Sequence, residues 1–158
     1  MNASEKPSTN DDPAAAACRE IVALHEFFEA WFRGAIPDSG KSMSRLDRAL
    51  SPHFEIIDPE GNKTCGRDRL LHRLRAAYAI HRDDEKPFRI SIRNVDSKTL
   101  PGGLVLVTYE EWQEKDGQAK GRASNAVMRP DDRAPGGVEW LHVHEKWLPE
   151  KPEDEARR

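Results

Sequence analysis

Residues 104–129 read LVLVTYEEWQEKDGQAKGRASNAVMR. Val, Leu, Thr, Tyr and Trp fill the first half, and Asp116-Gly117 interrupts the run. This is the signature of a hairpin, because Asp-Gly accepts the positive φ angles that a two-residue turn demands. With Asp116 and Gly117 at the central turn positions, Lys115 pairs with Gln118. Counting back, Glu111 lies opposite Arg122, Glu110 opposite Ala123, Tyr109 opposite Ser124, and Thr108 opposite Asn125. One face then carries Leu104, Leu106, Thr108, Glu110 and Trp112 with Ala123, Asn125 and Val127. The other carries Val105, Val107, Tyr109 and Glu111 with Arg122, Ser124, Ala126 and Met128, and there Glu111 and Arg122 make a cross-strand ion pair. A slip of one residue would exchange the faces.

Working outward, residues 138–148 alternate as a last strand, with residues 131–137 as a loop before it. Residues 88–95 have the same period of two, and Pro101-Gly102-Gly103 turns the chain into the hairpin. Upstream of Pro87 the period is helical. Ile21, Leu24, His25, Phe28, Trp31 and Phe32 share one face of a helix that runs from Ala14 to a stop at Gly34 and Pro37. Met43, Leu46 and Leu50 face inward from a second helix over 42–50. Residues 53–58 form a short strand and Pro59-Glu60-Gly61-Asn62 a turn. A third helix over 67–81 turns Leu70, Leu71, Leu74, Ala77, Tyr78 and His81 inward. The order is helix, helix, strand, helix, then four strands in a meander: an α+β domain with a strongly curved, mostly antiparallel sheet.

The chain has 158 residues, enough for one core, with 37% hydrophobic and 34% charged residues. Residues 1–13 and 150–158 are polar and read as disordered arms around a single domain over 14–149. Those ends carry the net charge of −3, and the body balances 21 basic against 21 acidic residues. A neutral body gives no field for nucleic acid or an anionic membrane. One basic cluster, Arg67, Arg69, Arg73, Arg75 and Arg82, reads as a solvated helix face. No apolar run approaches a membrane span, and no signal-peptide pattern opens the chain, so the cytoplasm is the expected compartment. Cys18 and Cys65 make neither a disulfide framework nor a zinc motif. There is no Gly-x-Ser-x-Gly elbow and no phosphate loop, and no cofactor is expected. His142 and His144, two positions apart on one strand with Glu110 as the nearest carboxylate, could start a metal site but lack a convincing third ligand, so no metal is expected.

Two segments sharpen the fold. HFEIIDPEGNKTCGRDRLL (residues 53–71), with Gly66-Arg67 opening the third helix, resembles the first-strand segment of SnoaL-like and ketosteroid-isomerase-like members of the nuclear transport factor 2-like superfamily. GVEWLHVHEKW (residues 137–147) resembles the final strand of that group, and the association domain of calcium/calmodulin-dependent kinase has a similar one. The resemblance spans residues 15–148 and implies a cone of three helices against the bent sheet. The superfamily hosts isomerases, cyclases, dehydratases, binding modules and silent domains, so fold alone assigns no reaction.

In the last strand Val138, Trp140, His142 and His144 share one face by alternation. The kinase-domain resemblance implies that the His-x-His face looks into the pocket, beside Asn125. On that reading Asn125, Trp140, Trp112, Tyr78, Phe28 and Glu110 line a ligand site. His142 or His144, with Asp58 or Glu110, are candidates for proton transfer. Each has a bland alternative: the histidines as hydrogen-bonded core residues, Asp58 as a turn cap, and His25 and His81 as satisfied inward histidines. Val105, Val107, Tyr109, Leu141, Val143 and Trp147 would then form an apolar outer face, and such a face calls for a second copy of the chain. Three readings follow. The cone binds a small, largely apolar molecule; or the domain is an isomerase, cyclase or dehydratase using a His–carboxylate pair; or it is a dimerisation module with a vestigial pocket.

Overall fold

The computed structural model describes residues 12–61 and 65–149. Its elements run α1 (Pro13–Arg33), α2 (Gly40–Ala49), β1 (Leu50–Ile57), β2 (Cys65–Gly66), α3 (Arg67–Ala76), β3 (Arg89–Thr99), β4 (Val105–Lys115), β5 (Gln118–Pro130) and β6 (Val138–Trp147). One sheet has the order β2-β1-β6-β5-β4-β3, and only β1–β6 pairs in parallel. The α+β class and the three helices before a mostly antiparallel meander are as the sequence implies. The β4–β5 register is also the expected one, from Lys115↔Gln118 through Glu111↔Arg122 to Thr108↔Asn125. Asp116 and Gly117 take φ of 54° and 79° and close the turn.

The two arms expected at the ends lie outside the described residues, except for Asp12 and Pro13. These begin α1, where the Asp12 carboxylate accepts from the Ala14 N–H at 3.1 Å and Pro13 occupies the first turn. Gly34, in the left-handed region at φ 68°, ends the helix and returns its N–H to the Ala30 and Trp31 carbonyls. The third helix is shorter than its periodicity suggests and stops at Ala76 instead of His81. Residues 77–83 turn over the end of α1, and the N–H groups of Ala79 and His81 reach the carbonyls of Trp31 (3.0 Å) and Phe32 (2.8 Å). Satisfying those orphan carbonyls outweighs continuing α3, and Ala79 accepts φ 58° to do it.

The sheet faces are reversed from the sequence expectation. Val105, Val107, Tyr109, Ala126, Met128 and Val143 are buried and join Ile21, Leu24 and Trp31 of α1 in the core. The face read as an apolar outer surface is therefore the one the helices cover, and it offers no interface to a second copy. The free face carries Thr108, Asn125 and His144, all exposed, with Leu106, Val127 and His142 half-buried among them. A β-bulge explains part of the reversal. Val127 pairs with His142 but Met128 pairs with Trp140, so Leu141 is an extra residue and strict alternation breaks there. Trp140, Val143 and Glu145 consequently face the helices, while His142 and His144 face away.

Candidate functional site

Between α1, α3 and the concave face of the sheet lies a cavity of about 640 Å³. Its walls are apolar: Leu24, Phe28 and Phe32 come from α1, Phe54 and Ile56 from β1, Leu70 and Leu74 from α3. These are successive core-facing positions of each element, and the concave sheet leaves them too far apart to close on one another. Trp140 and Val143 of β6 complete the apolar lining. Asp58, Arg69 and Arg73 also line the cavity.

A polar floor crosses the sheet. Gln113, Glu111 and Tyr109 of β4, Arg122 of β5 and Glu145 of β6 all reach the cavity, and His25 approaches from α1. Nε2 of His25 lies 3.0 Å from Oε1 of Glu111, and its Nδ1 lies 2.6 Å from the Ile21 carbonyl. Both ring nitrogens face acceptors, which suits the doubly protonated imidazolium. The amide of Gln113 donates to the second oxygen of Glu111. Arg122 stands between two carboxylates, 3.6 Å from Glu111 and 3.3 Å from Glu145, and the Ser124 hydroxyl donates to Glu145 at 3.2 Å.

Burial and charge compete at each group. Burial pushes His25 down, but the charge of Glu111, the bond to it and the bond to Ile21 together hold its pKa above the usual 6.5. Burial pushes Glu111 up, yet the charge and bond of His25, then Arg122 and Gln113, bring it from 4.5 to about 2. Glu145 goes the other way: burial, with the neighbouring Glu111 charge, raises it despite Arg122. Burial likewise lifts the Tyr109 phenol well above 10.0. One carboxylate is thus held firmly ionised beside another that protonates more readily, on one patch of sheet.

Of the residues singled out from the sequence, Phe28, Trp140 and Asp58 line this cavity. Asp58 also accepts the Glu60 N–H at 2.9 Å, the turn-capping role. Tyr78 is outside the lining: its ring packs on Trp31 and its hydroxyl donates to the Ile36 carbonyl at 2.7 Å. Asn125, His142, His144, Glu110 and Trp112 sit on the opposite face, where the Trp112 indole donates to Glu110 at 2.9 Å. Asn125, His144 and Asp58 do share a second, smaller groove of about 330 Å³. The cluster of His25, Glu111, Arg122, Gln113 and Glu145 was not among the expected site residues. Its available signal was the Glu111–Arg122 pair on the more apolar strand face, since a charged pair set among Val105, Val107 and Ala126 is drawn toward the core, with Glu111 buried and Arg122 half-buried. Among the described residues no three His, Cys, Asp or Glu side chains gather as a metal site, and no helix is long and apolar enough to cross a membrane.

The sucrose-6-phosphate phosphohydrolase C-terminal family matches residues 17–149. The chain belongs to this family. Sucrose-phosphatase 1 of Nicotiana tabacum is 29% identical over 131 residues, which cover 82% of this chain and 30% of that protein. Probable sucrose-phosphatase 3a of Arabidopsis thaliana is 24% identical over 139 residues, 88% of this chain and 32% of that protein. The chain therefore spans about a third of the length of the curated relatives it matches. Among solved structures, a nuclear transport factor 2-like protein of unknown function from Pseudomonas aeruginosa superposes with a TM-score of 0.71 at 21% identity, over 85% of this chain and 99% of that one. A putative ketosteroid isomerase from Parabacteroides distasonis gives 0.58 at 10%, over 91% and 94%. A kinase hub domain from S. rosetta gives 0.54 at 14%, over 86% and 97%. The fold is that of the nuclear transport factor 2-like superfamily.

Proposed function

We propose that this family domain binds a small saccharide in its cone. The observation that carries the reading is the cavity itself, which joins aromatic walls to a charge-balanced polar floor. Its volume of about 640 Å³ falls within the usual range for small-molecule sites, roughly 300–1,000 Å³. A wholly apolar ligand would offer nothing to the hydrogen-bonding positions that Glu111, Arg122, Glu145 and Gln113 keep beyond their bonds to one another, so the floor calls for hydroxyl groups. The cluster sets two carboxylates against Arg122 and the His25 imidazolium, and this balance favours a neutral hydrogen-bonding group over a bare ion. Phe28, Phe32 and Phe54 suit the apolar face of a sugar ring. The relatives are named sucrose-phosphatases, which makes a saccharide the first class to test. An open cavity also speaks for binding over a dimerisation module with a vestigial pocket.

The test is a titration with sucrose and a panel of neutral mono- and disaccharides, followed by calorimetry and by tryptophan fluorescence, Trp140 being the tryptophan that lines the cavity among the described residues. Binding should occur and should weaken several-fold in Gln113→Leu, which removes a floor donor from a half-buried site. No heat and no fluorescence change with any sugar at millimolar concentration would refute the reading.

A second reading, proton transfer of the isomerase or dehydratase type, has one specific support. Glu111 and Glu145 are displaced in opposite directions from the same ordinary value, a pattern that separates base from acid in enzyme sites. On this reading Glu145 is the exchangeable group, because Glu111 is committed to His25 and Gln113.

A further inference from the structure

Among the described residues, the arginines of this domain are mostly engaged. Arg45 holds Glu20, Arg67 approaches Asp47, Arg122 bridges Glu111 and Glu145, and Arg129 holds Glu139. Arg69 and Arg73 are different. Both line the cavity from α3, both are exposed, and neither guanidinium has a hydrogen bond, an ion pair or a ring contact among the described residues. They stand four positions apart, so their side chains leave the same face of the helix one above the other, roughly 5–6 Å apart at Cβ. Each is followed by a leucine, Leu70 and Leu74, that lines the cavity wall. Two forked donors without acceptors therefore sit side by side at the edge of a pocket whose floor is already charge-balanced.

From this arrangement we infer an anion subsite at the cavity mouth, in which Arg69 and Arg73 take the phosphate of a sugar monoester whose ring enters the cone. The inference rests on the saccharide reading of the cavity and adds the charge and orientation of its ligand. Guanidinium forks match phosphate oxygens in pairs, and two of them one turn apart can share one dianion. Among the described residues, Asp58 is the one carboxylate other than Glu111 and Glu145 in the lining, and it has a partner of its own. The phosphate cannot go to the floor, because Glu111 is ionised there and Arg122 is already shared between two carboxylates. The orientation is thus set by charge: ester group outward against α3, hydroxyls inward against Gln113 and Glu145.

The test compares sucrose, sucrose 6-phosphate and inorganic phosphate by calorimetry on the wild-type chain and on Arg69→Gln/Arg73→Gln. Both positions are exposed, so the double variant should keep the wild-type melting temperature. Sucrose 6-phosphate should bind about tenfold or more tightly than sucrose, the scale of one or two added charge-assisted hydrogen bonds. The double variant should lose that advantage and bind the ester no more tightly than it binds sucrose. Raising the salt concentration should erode the advantage in the wild type alone. If sucrose binds and its phosphate binds no better, or if the advantage survives in the double variant, the subsite is refuted while the saccharide reading stands. Inorganic phosphate binding as tightly as the ester refutes it too, since the sugar would then contribute nothing. If neither sugar binds, the saccharide reading fails and the subsite with it.

Discussion

Nε2 of His25, on α1, lies 3.0 Å from Oε1 of Glu111, on β4, and both side chains are buried. This pair joins the helical layer to the sheet at the floor of the cavity, and its two pKa displacements make it a pH-dependent contribution to stability. The folded-state value of His25 is raised, so its contribution is complete below 6.5 and is lost as pH rises through the folded value. The value of Glu111 is lowered, so its contribution is complete above 4.5 and is lost as pH falls toward about 2. Glu145 is raised, so its contribution is complete below 4.5 and is lost as pH rises through its folded value. The pair contributes most between about pH 4.5 and 6.5. Melting temperature against pH should show its maximum in that window. Glu111→Gln should flatten the curve there, and a variant curve parallel to the wild type would contradict the linkage.

A second buried charge fixes the helices to each other. The Glu20 carboxylate, fully buried on α1, accepts from Arg45 of α2 at 2.7 and 3.2 Å and from the Trp140 indole at 3.1 Å. Arg45→Ala leaves that charge with one neutral donor, and the expected cost is about 3–5 kcal/mol. Replacing both partners by leucine removes the uncompensated charge and should recover much of the loss. Chemical denaturation of the two variants separates these cases: if the double variant is as unstable as Arg45→Ala, packing and not charge is what Arg45 supplies.

His142 and His144 should be dispensable to the cone. They project from the face that the helices leave free, and His144 is exposed. His144→Ala should change stability by less than about 0.5 kcal/mol and leave cavity binding intact. Val143→Glu, one residue away, puts a carboxylate into the core and should prevent or severely weaken folding. Circular dichroism melts of the two variants check this, and a His144→Ala chain that melts far below the wild type would restore the opposite face assignment.

The contrast between those neighbours shows what was legible. Period and turn chemistry located the three helices and the meander, and Asp116-Gly117 set the β4–β5 register to the residue. Parity alone cannot say which face is covered, however. Strict alternation carried through Leu141 puts Trp140 and His142 together, but the bulge there divides them. The stronger guide was the apolar content of Val105, Val107, Tyr109, Ala126 and Met128, which a helical layer must cover. Once that face is inside, buried Glu111 and half-buried Arg122 become a pair at the site instead of one on the surface. Arg69 and Arg73 were legible as a charged helix stripe, but their relation to the cavity depends on where α3 packs, which no local pattern encodes.

On the free face, Trp112 lies across Gly121, its cross-strand partner, with its indole N–H on Glu110 and the Arg93 guanidinium 5.2 Å above its ring. A Cβ at Gly121 would stand 2.6 Å from the ring atoms, closer than any van der Waals contact. The glycine is there because the ring occupies its side-chain space, the arrangement by which an aromatic covers a glycine's exposed backbone in a sheet. Gly121→Ala should therefore displace the indole, break its bond to Glu110 and cost about 1–3 kcal/mol. Trp112→Ala removes the obstacle, so alanine at 121 should then be neutral or stabilising, since it restores strand propensity. A double-mutant cycle measures this coupling. If Gly121→Ala costs the same with and without Trp112, the ring is not what excludes the side chain, and the strain must lie in the backbone of β5.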